Sequence, residues 1–306
     1  MSVKFAAPLA LIALVSCSGN PFNPAPPAPP PEEIPNVPPP SEIGVDIPKE
    51  EIKVSAPPIV AQHLRSAAYD RAAGTLKINL ASLDGSPVAA DYVRDNTLDL
   101  SGYQAFTLQE ANTQRKFLAL VKTSDSGVVT GATVADGGQF QTYFGGGQYY
   151  RVDGFTMPTT GLASYTGSYV GVLNSGEIVP GGVGGDLDAR LSDRITGRIL
   201  LNADFNETNL EVSGGIDNRM AVRTNTPLDS VVLWTAPITS DGAFAGTVRN
   251  PSNASVGNYG GIFAGTNASD VAGALVFRPL PGDTATIEHG LFVLPRCTGP
   301  ADQLCP

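Results

Sequence analysis

The chain has 306 residues, of which 42% are hydrophobic and 16% are charged, so it can bury the core of one large domain or two modest ones. Its 29 acidic and 19 basic residues give a formal net charge of −10, which repels phosphate backbones and argues against a nucleic-acid partner. The 34 glycines and 26 prolines favour turns and extended segments over long helices.

The N-terminus carries the pattern of a bacterial lipoprotein signal. Lys4 supplies a positive charge, and Phe5–Val15 form an apolar stretch that is too short to cross a bilayer as a helix. Ser16 is the small residue before a cleavage site, so residues 1–16 are expected to be removed and Cys17 to become a lipidated N-terminus that carries palmitate. Ser18 in place of aspartate favours the outer membrane, with surface exposure left open. An ordinary cleaved signal, with an incidental cysteine, is the alternative.

Proline dominates residues 17–60, with runs at Pro29–Pro31 and Pro38–Pro40. Such a composition cannot build a core, and we expect a disordered, extended linker that holds a folded domain away from the membrane. A ligand for proline-recognition domains is the alternative.

Residues 61–155 predict a small β-rich region. A short helix is expected at Ala61–Asp70, and Gly145–Tyr150 resembles a glycine-rich turn that leads into an aromatic strand. Its tyrosines could instead form a contact surface. The expected β-like runs are Thr75–Leu83, Asp99–Leu108, Lys116–Thr123 and Gln139–Val152.

Residues 156–306 carry the clearest period-two alternation. Between Ile195 and Phe205, apolar side chains and glycine share one parity and polar ones occupy the other, with Leu200 as the exception. A hairpin leads to a second alternating run at Leu210–Ile216. Further strands are expected at Val231–Ala236, Ala243–Arg249, Tyr259–Gly265, Ala272–Arg278 and Thr286–Leu294. Successive antiparallel hairpins predict an up-and-down barrel or a sandwich, and a barrel also removes exposed sheet edges.

The cysteines divide between two roles. With Cys17 assigned to lipid, Cys297 and Cys305 remain as a pair that we expect to form a disulfide in an exported protein. A metal site is the competing idea, but no further cysteine or histidine lies nearby in the sequence.

Candidate chemistry is sparse. Of the two histidines, His63 is expected to be solvated, whereas His289 fits either a haem or metal ligand inside a barrel or, preferably, a hydrogen-bonded or rim histidine. A calcium site would need Asp186, Asp188 and Asp193 to converge, and solvated carboxylates are the simpler interpretation. The glycines of residues 181–185 lack the Lys-Ser/Thr pair of a phosphate loop. Trp234 is expected in the core, with a lone exposed aromatic used in binding as the alternative. We therefore predict no catalytic site, no metal and no cofactor.

Four motifs resemble a known family. They are Tyr165-Thr-Gly167, Asp204-Phe205 followed by Ser213-Gly214, Phe244-Ala-Gly246-Thr247, and Gly261-Ile-Phe263-Ala-Gly265 with Asp270 after it. In order and spacing they are similar to the C-terminal barrel of transferrin-binding protein B-like surface lipoproteins. The resemblance implies an eight-stranded barrel beside a smaller β-rich portion on a lipid-anchored outer-membrane protein. Family members bind different partners, including iron-carrier proteins, haem proteins and complement regulators.

Together these features predict an all-β chain: an eight-stranded antiparallel β-barrel preceded by a small β-rich region and a disordered Pro-rich linker. The expected function is non-enzymatic binding of a protein or small solute, with a possible link to iron or haem, by a monomeric protein. The specificity of binding is expected to come from the loop tips Asn174–Gly185 and Pro251–Asn258. A structural or assembly role in the cell envelope, without an external ligand, is the alternative. An enzyme whose site joins distant carboxylates is a third hypothesis.

Overall fold

The computed structural model describes residues 56–81, 87–109, 116–136, 144–159, 161–174, 192–206, 208–279, 286–299 and 305. Several predictions fall outside these residues: the signal peptide, lipidation of Cys17, nearly all of the linker, the glycines of residues 181–185, and Asp186 with Asp188. Within the described ranges, no helix has the length and apolar character needed to span a membrane.

The first part of the chain forms a seven-stranded antiparallel sheet in sequential order. A one-turn helix α1 (Pro58–Ala61) precedes it, and a 3₁₀ turn (Asn96–Leu98) follows its third strand. The strands are β1 (Leu64–Asp70), β2 (Thr75–Ala81), β3 (Pro87–Arg94), β4 (Gln104–Leu108), β5 (Phe117–Thr123), β6 (Val129–Ala135) and β7 (Gly145–Arg151). The two edges nearly meet, because the backbone N–H of His63 donates to Gly145 O at 3.0 Å.

The predictions from local sequence were wrong or incomplete at three places in this sheet. The helix expected at Ala61–Asp70 is wrong: Leu64–Asp70 is β1, which pairs with β2 and buries Leu64, so tertiary pairing overrides helix propensity. The strand expected from Asp99 begins at Gln104, because Leu100 and Tyr103 close a tight turn through Ser101 and Gly102, both at positive φ. Strands β3 and β6 were not predicted; β6 is buried along its whole length and so lacks alternation.

The turn expected at the glycines of Gly145–Tyr150 is also wrong, since these residues lie inside β7, whereas the aromatic strand expected there is confirmed. Each glycine faces a neighbour that leaves no room for a side chain: a Cβ on Gly146 would overlap the carbonyl oxygen of Ala61, and one on Gly147 would overlap the Cβ of Ala274. The glycines therefore serve close packing of β7 rather than a change of chain direction.

The second part is a closed eight-stranded antiparallel barrel, which confirms the predicted fold class and decides against the sandwich. Its strands are β8 (Leu162–Asn174), β9 (Asp193–Asp204), β10 (Glu211–Ala221), β12 (Val231–Pro237), β13 (Ala243–Arg249), β14 (Ser255–Ala264), β15 (Asp270–Phe277) and β16 (Ile287–Pro295). Closure comes from β8, which pairs with both β9 and β16. A short extra strand, β11 (Thr226–Leu228), pairs with β10 outside this circuit.

The two segments with alternating polarity form the predicted hairpin. Strands β9 and β10 pair from Glu211 opposite Asp204 to Ala221 opposite Ile195, with one irregularity. Ile195, Ile199 and Leu201 are fully buried in the barrel interior, as their shared parity predicts.

Aromatic rings fill the barrel interior. The Phe263 ring lies 5.1 Å from those of Phe205 and Phe244 and 5.3 Å from that of Tyr165, measured between ring centroids. Glycines make room for such rings, as predicted: a Cβ on Gly246 would lie 2.6 Å from the Tyr259 ring.

The first sheet packs on one side of the barrel's outer wall. Residues of β5, β6 and β7 form a common core with Val172, Ala272, Leu291 and Val293 on the outside of the barrel. Strands β15 and β16 are therefore buried on both faces. Past β16, Cys297 and Cys305 are joined by the predicted disulfide, with their Cα atoms 5.8 Å apart.

Candidate functional site

The outward faces of β12 and β13 carry exposed apolar side chains on the barrel wall that the first sheet leaves uncovered. Along β12, Val231 and Leu233 point into the core, so Val232 and Trp234 point outward and are 43% and 45% exposed. Gly215 of β10 lies opposite Val232 and has no side chain to cover it. Trp234 is thus a surface residue, and its predicted place in the core is wrong.

Trp234 is held in place by a stacked guanidinium. The Arg249 Cζ atom lies 3.8 Å from the Trp234 ring centroid, a cation–π geometry. Arg249 lies opposite Val232 on the neighbouring strand, and its Nη1 donates to Asn253 Oδ1 at 2.9 Å. The aromatic ring, the cation and the turn therefore form one ordered surface, which we call the Trp234 face: Val232, Trp234, Arg249 and the turn Asn250–Ala254.

The turn next to Arg249 is built from asparagines. Asn250 Oδ1 accepts from the backbone N–H of Ala254 at 2.9 Å, and Asn253 has a positive φ of 64°, a conformation that asparagine tolerates well. The predicted specificity loop Pro251–Asn258 therefore splits into this turn and the start of β14 at Ser255.

The ladder between β12 and β13 is interrupted beside Trp234. Val232 and Leu233 pair with Arg249 and Val248, and the next bridge joins Ile238 to Phe244. The Trp234 carbonyl lies between these pairings and accepts instead from the Tyr259 hydroxyl at 2.6 Å. A side chain from the barrel interior therefore fixes the backbone of the exposed residue.

His289 lies neither in the barrel interior nor at its rim. It projects from β16 into the core between the barrel and the first sheet and is 1% exposed. Neither ring nitrogen has a hydrogen-bond partner within the described residues, so the preferred sequence interpretation is wrong. Burial, and then the nearby His63, lower the pKa of His289 to about 3. His63 is also partly enclosed rather than solvated, with its ring 4.9 Å from that of Phe144.

Asp193 and the buried residues Arg219 and Glu288 are engaged in structural contacts. Asp193 accepts from the backbone N–H of Arg223 at 2.8 Å, which assigns this carboxylate to a turn. Inside the barrel, Arg219 pairs with Glu288, and Glu288 also accepts from the Tyr169 hydroxyl at 2.6 Å. Among the described residues, no three histidine, cysteine or carboxylate side chains converge on a metal-sized site.

Fold and surface together define a small all-β scaffold that presents an aromatic and cationic face on a rigid barrel wall. No family model and no curated protein matches this chain. Among solved structures it is similar to transferrin-binding protein B from Haemophilus parasuis, with 12% identity, a TM-score of 0.40, and coverage of 75% of this chain and 52% of that one.

Two further solved structures are similar. HpuA from Kingella denitrificans, in complex with human haemoglobin, has 10% identity, a TM-score of 0.38, and coverage of 74% of this chain and 85% of that one. A protein described as a surface lipoprotein has 16% identity, a TM-score of 0.38, and coverage of 73% and 98%. The chain thus spans about half the length of the transferrin-binding protein B structures. The predicted family resemblance is confirmed as a resemblance of fold.

Proposed function

We propose that this chain is a lipid-anchored binding protein of the outer membrane that recognises a protein partner through the Trp234 face. The observation that carries the proposal is a tryptophan that is 45% exposed while an arginine stacks on it at 3.8 Å. Tryptophan and arginine are enriched at the energetic centres of protein interfaces, and a large exposed ring otherwise costs solubility.

The geometry favours binding because the ring is already ordered before a partner arrives. Arg249 is itself anchored by Asn253, and Tyr259 fixes the Trp234 carbonyl. Each immobilised side chain that needs no further ordering saves about 0.5–1.5 kcal/mol of binding free energy. Specificity then resides in a strand surface and its adjoining turn, rather than in loop tips alone.

The anchor and the division of the chain are parts of the proposal that the sequence supports. The signal at residues 1–16 motivates lipidation of Cys17, and the part of residues 17–60 that precedes the buried Ala56 would serve as a tether. Residues 61–155 would form the smaller support, and residues 156–306 the barrel that presents the Trp234 face. Mass spectrometry of the mature protein tests this part, since an unmodified Cys17 contradicts it.

Iron-carrying and haem proteins are the partner class that the family resemblance implies, so haemoglobin and transferrin are the first probes. We expect one of them to bind the immobilised mature protein in biolayer interferometry. Trp234→Ala and Arg249→Ala should each weaken that binding by roughly 30-fold, a typical loss at an interface hot spot.

Val93→Thr provides a matched control, because Val93 is an exposed apolar residue of β3 in the first sheet. It should bind as the wild type does. Equal affinity of the Trp234→Ala variant would overturn the Trp234 face, and failure of both probes would overturn the proposed partner class. Crosslinking in intact cells that captured an envelope protein at Trp234 would instead support an assembly role.

A further inference from the structure

A cavity of about 340 Å³ opens beside the Trp234 face and shares no side chain with it. It lies where the start of α1, strand β7 and the β12–β13 connection meet. Its lining consists of Pro57, Tyr149, Pro237, Thr239, Ala243, Phe244 and Ala245, a set without a charged residue.

The Tyr149 hydroxyl is the unusual group of this cavity. Tyr149 is 1% exposed, and its hydroxyl has no hydrogen-bond partner within the described residues. The other tyrosines buried as deeply each donate: Tyr103 to Ser168 O at 3.0 Å, Tyr165 to Ala268 O at 2.6 Å, Tyr259 to Trp234 O at 2.6 Å, and Tyr169 to Glu288 at 2.6 Å. Buried tyrosine hydroxyls normally find a partner, so this one has a donor to offer.

The backbone keeps this hydroxyl accessible to the cavity. A Cβ on Gly260 would lie 2.7 Å from the Tyr149 hydroxyl oxygen and 3.1 Å from Pro57 Cδ. A larger residue at position 260 would therefore displace the Tyr149 hydroxyl and Pro57, and both residues line the cavity. The Tyr149 phenol is protonated at physiological pH and can donate, and burial raises its pKa further above the ordinary value.

The interrupted β12–β13 ladder gives the cavity its apolar wall. Phe244 belongs to the barrel core, yet it lines the cavity beside Pro237 and Ala245. The Phe244 ring itself points into the barrel, so Pro57, Pro237 and Ala245 provide the apolar surface beside the Tyr149 hydroxyl.

We propose that this cavity, the Tyr149 pocket, binds a small uncharged apolar molecule that carries one hydrogen-bond acceptor. The acceptor takes the Tyr149 hydrogen bond, and the apolar body packs on Pro57, Pro237 and Ala245. A volume of about 340 Å³ lies at the small end of ligand sites, so the ligand is the size of a substituted single ring. An ionised ligand is disfavoured because the lining offers no counter-charge for its desolvation. This site is independent of the proposed protein-binding function.

Three probes of similar size separate the contributions of the hydrogen bond, the apolar contact and the charge to binding. Acetophenone carries a hydrogen-bond acceptor, ethylbenzene carries none, and benzoate is charged. In ¹H–¹⁵N NMR titrations of the mature chain, acetophenone should bind saturably and shift the amides of β7 and the β12–β13 connection. Ethylbenzene should bind about tenfold more weakly, the difference that one net hydrogen bond makes, and benzoate should not bind.

Tyr149→Phe removes the hydroxyl and keeps the ring. It should weaken the binding of acetophenone about tenfold and leave the affinity for ethylbenzene unchanged. Tyr150→Phe, a change at the next residue of β7 outside the cavity lining, should alter neither affinity. Gly260→Ala should abolish binding of both neutral probes, with its folding checked by circular dichroism. Unchanged acetophenone affinity in Tyr149→Phe, or the absence of saturable shifts in the wild type, would overturn the proposal.

Discussion

The barrel wall has two sides that differ in burial. We call the side under the first sheet the covered side and the side that faces solvent the open side, or open wall. Strands β15 and β16 are buried on both faces, because one face meets the barrel interior and the other meets the first sheet. Strands β9, β10 and β12 alternate between buried and solvent-facing residues. An exposed aromatic on the alternating side therefore stands out as a candidate for binding, whereas an apolar residue on the covered side reflects packing.

The buried ion pair joins the two sides and should show the largest effect. Glu288→Ala leaves the Arg219 guanidinium buried without its partner, and we expect a loss of about 3–5 kcal/mol in the free energy of unfolding by urea. The double variant Arg219→Met with Glu288→Leu should recover much of that loss. A single-variant loss below about 1 kcal/mol would contradict the role of this pair.

Glycine substitutions test the covered side against the open side directly. Gly147→Ala places a methyl group against Ala274 at the sheet–barrel contact and should cost up to about 3 kcal/mol. Gly215→Ala on the open wall meets its nearest atom, Val231 O, at an ordinary 3.5 Å and should stay within about 0.5 kcal/mol. Equal unfolding free energies of the two variants would remove the distinction between the sides.

His289 makes the covered side sensitive to acid. The pKa of His289 is lowered to about 3, whereas the unfolded chain takes up this proton near pH 6.5. Stability is therefore lost as the pH falls from 6.5 towards 3, by about 2 kcal/mol between pH 7 and pH 5.

His289→Leu isolates this effect, because the carboxylates titrate in both proteins. Urea unfolding at pH 7 and pH 5 should show a smaller loss in the variant than in the wild type. Identical losses would mean that another group carries the acid sensitivity.

The smallest effect is expected at the ion pair on the open wall. Arg198 and Asp217 face each other across β9 and β10 with about half of each side chain exposed. Since solvent screens such a pair, Asp217→Asn should leave the urea midpoint unchanged. A clear shift of the midpoint would show that the open wall contributes more to stability than its exposure indicates.

The sequence predicted the open side better than the covered side, for a physical reason. Alternation appears only where one face meets water, so β9 and β10 were evident from Ile195, Ile199 and their polar neighbours, whereas β6 was not. The glycines of β7 looked like a turn because their function depends on a partner sheet that lies far away in the sequence.

The candidate site was harder to predict. Val231, Val232, Leu233 and Trp234 are all apolar, so periodicity could not decide which parity faces outward. Barrel closure and the register with β10 settle it, and both depend on the whole chain. The Tyr149 pocket likewise arises from an unpartnered hydroxyl, which a sequence does not reveal.

The hydrogen bond from Tyr259 to the Trp234 carbonyl has a consequence for how this protein can change over time. A mutation in the hidden aromatic layer can tilt the Trp234 face without altering any residue of that face. Proteins with identical outer residues can therefore differ in the shape of this face, and comparisons limited to surface positions would miss the cause.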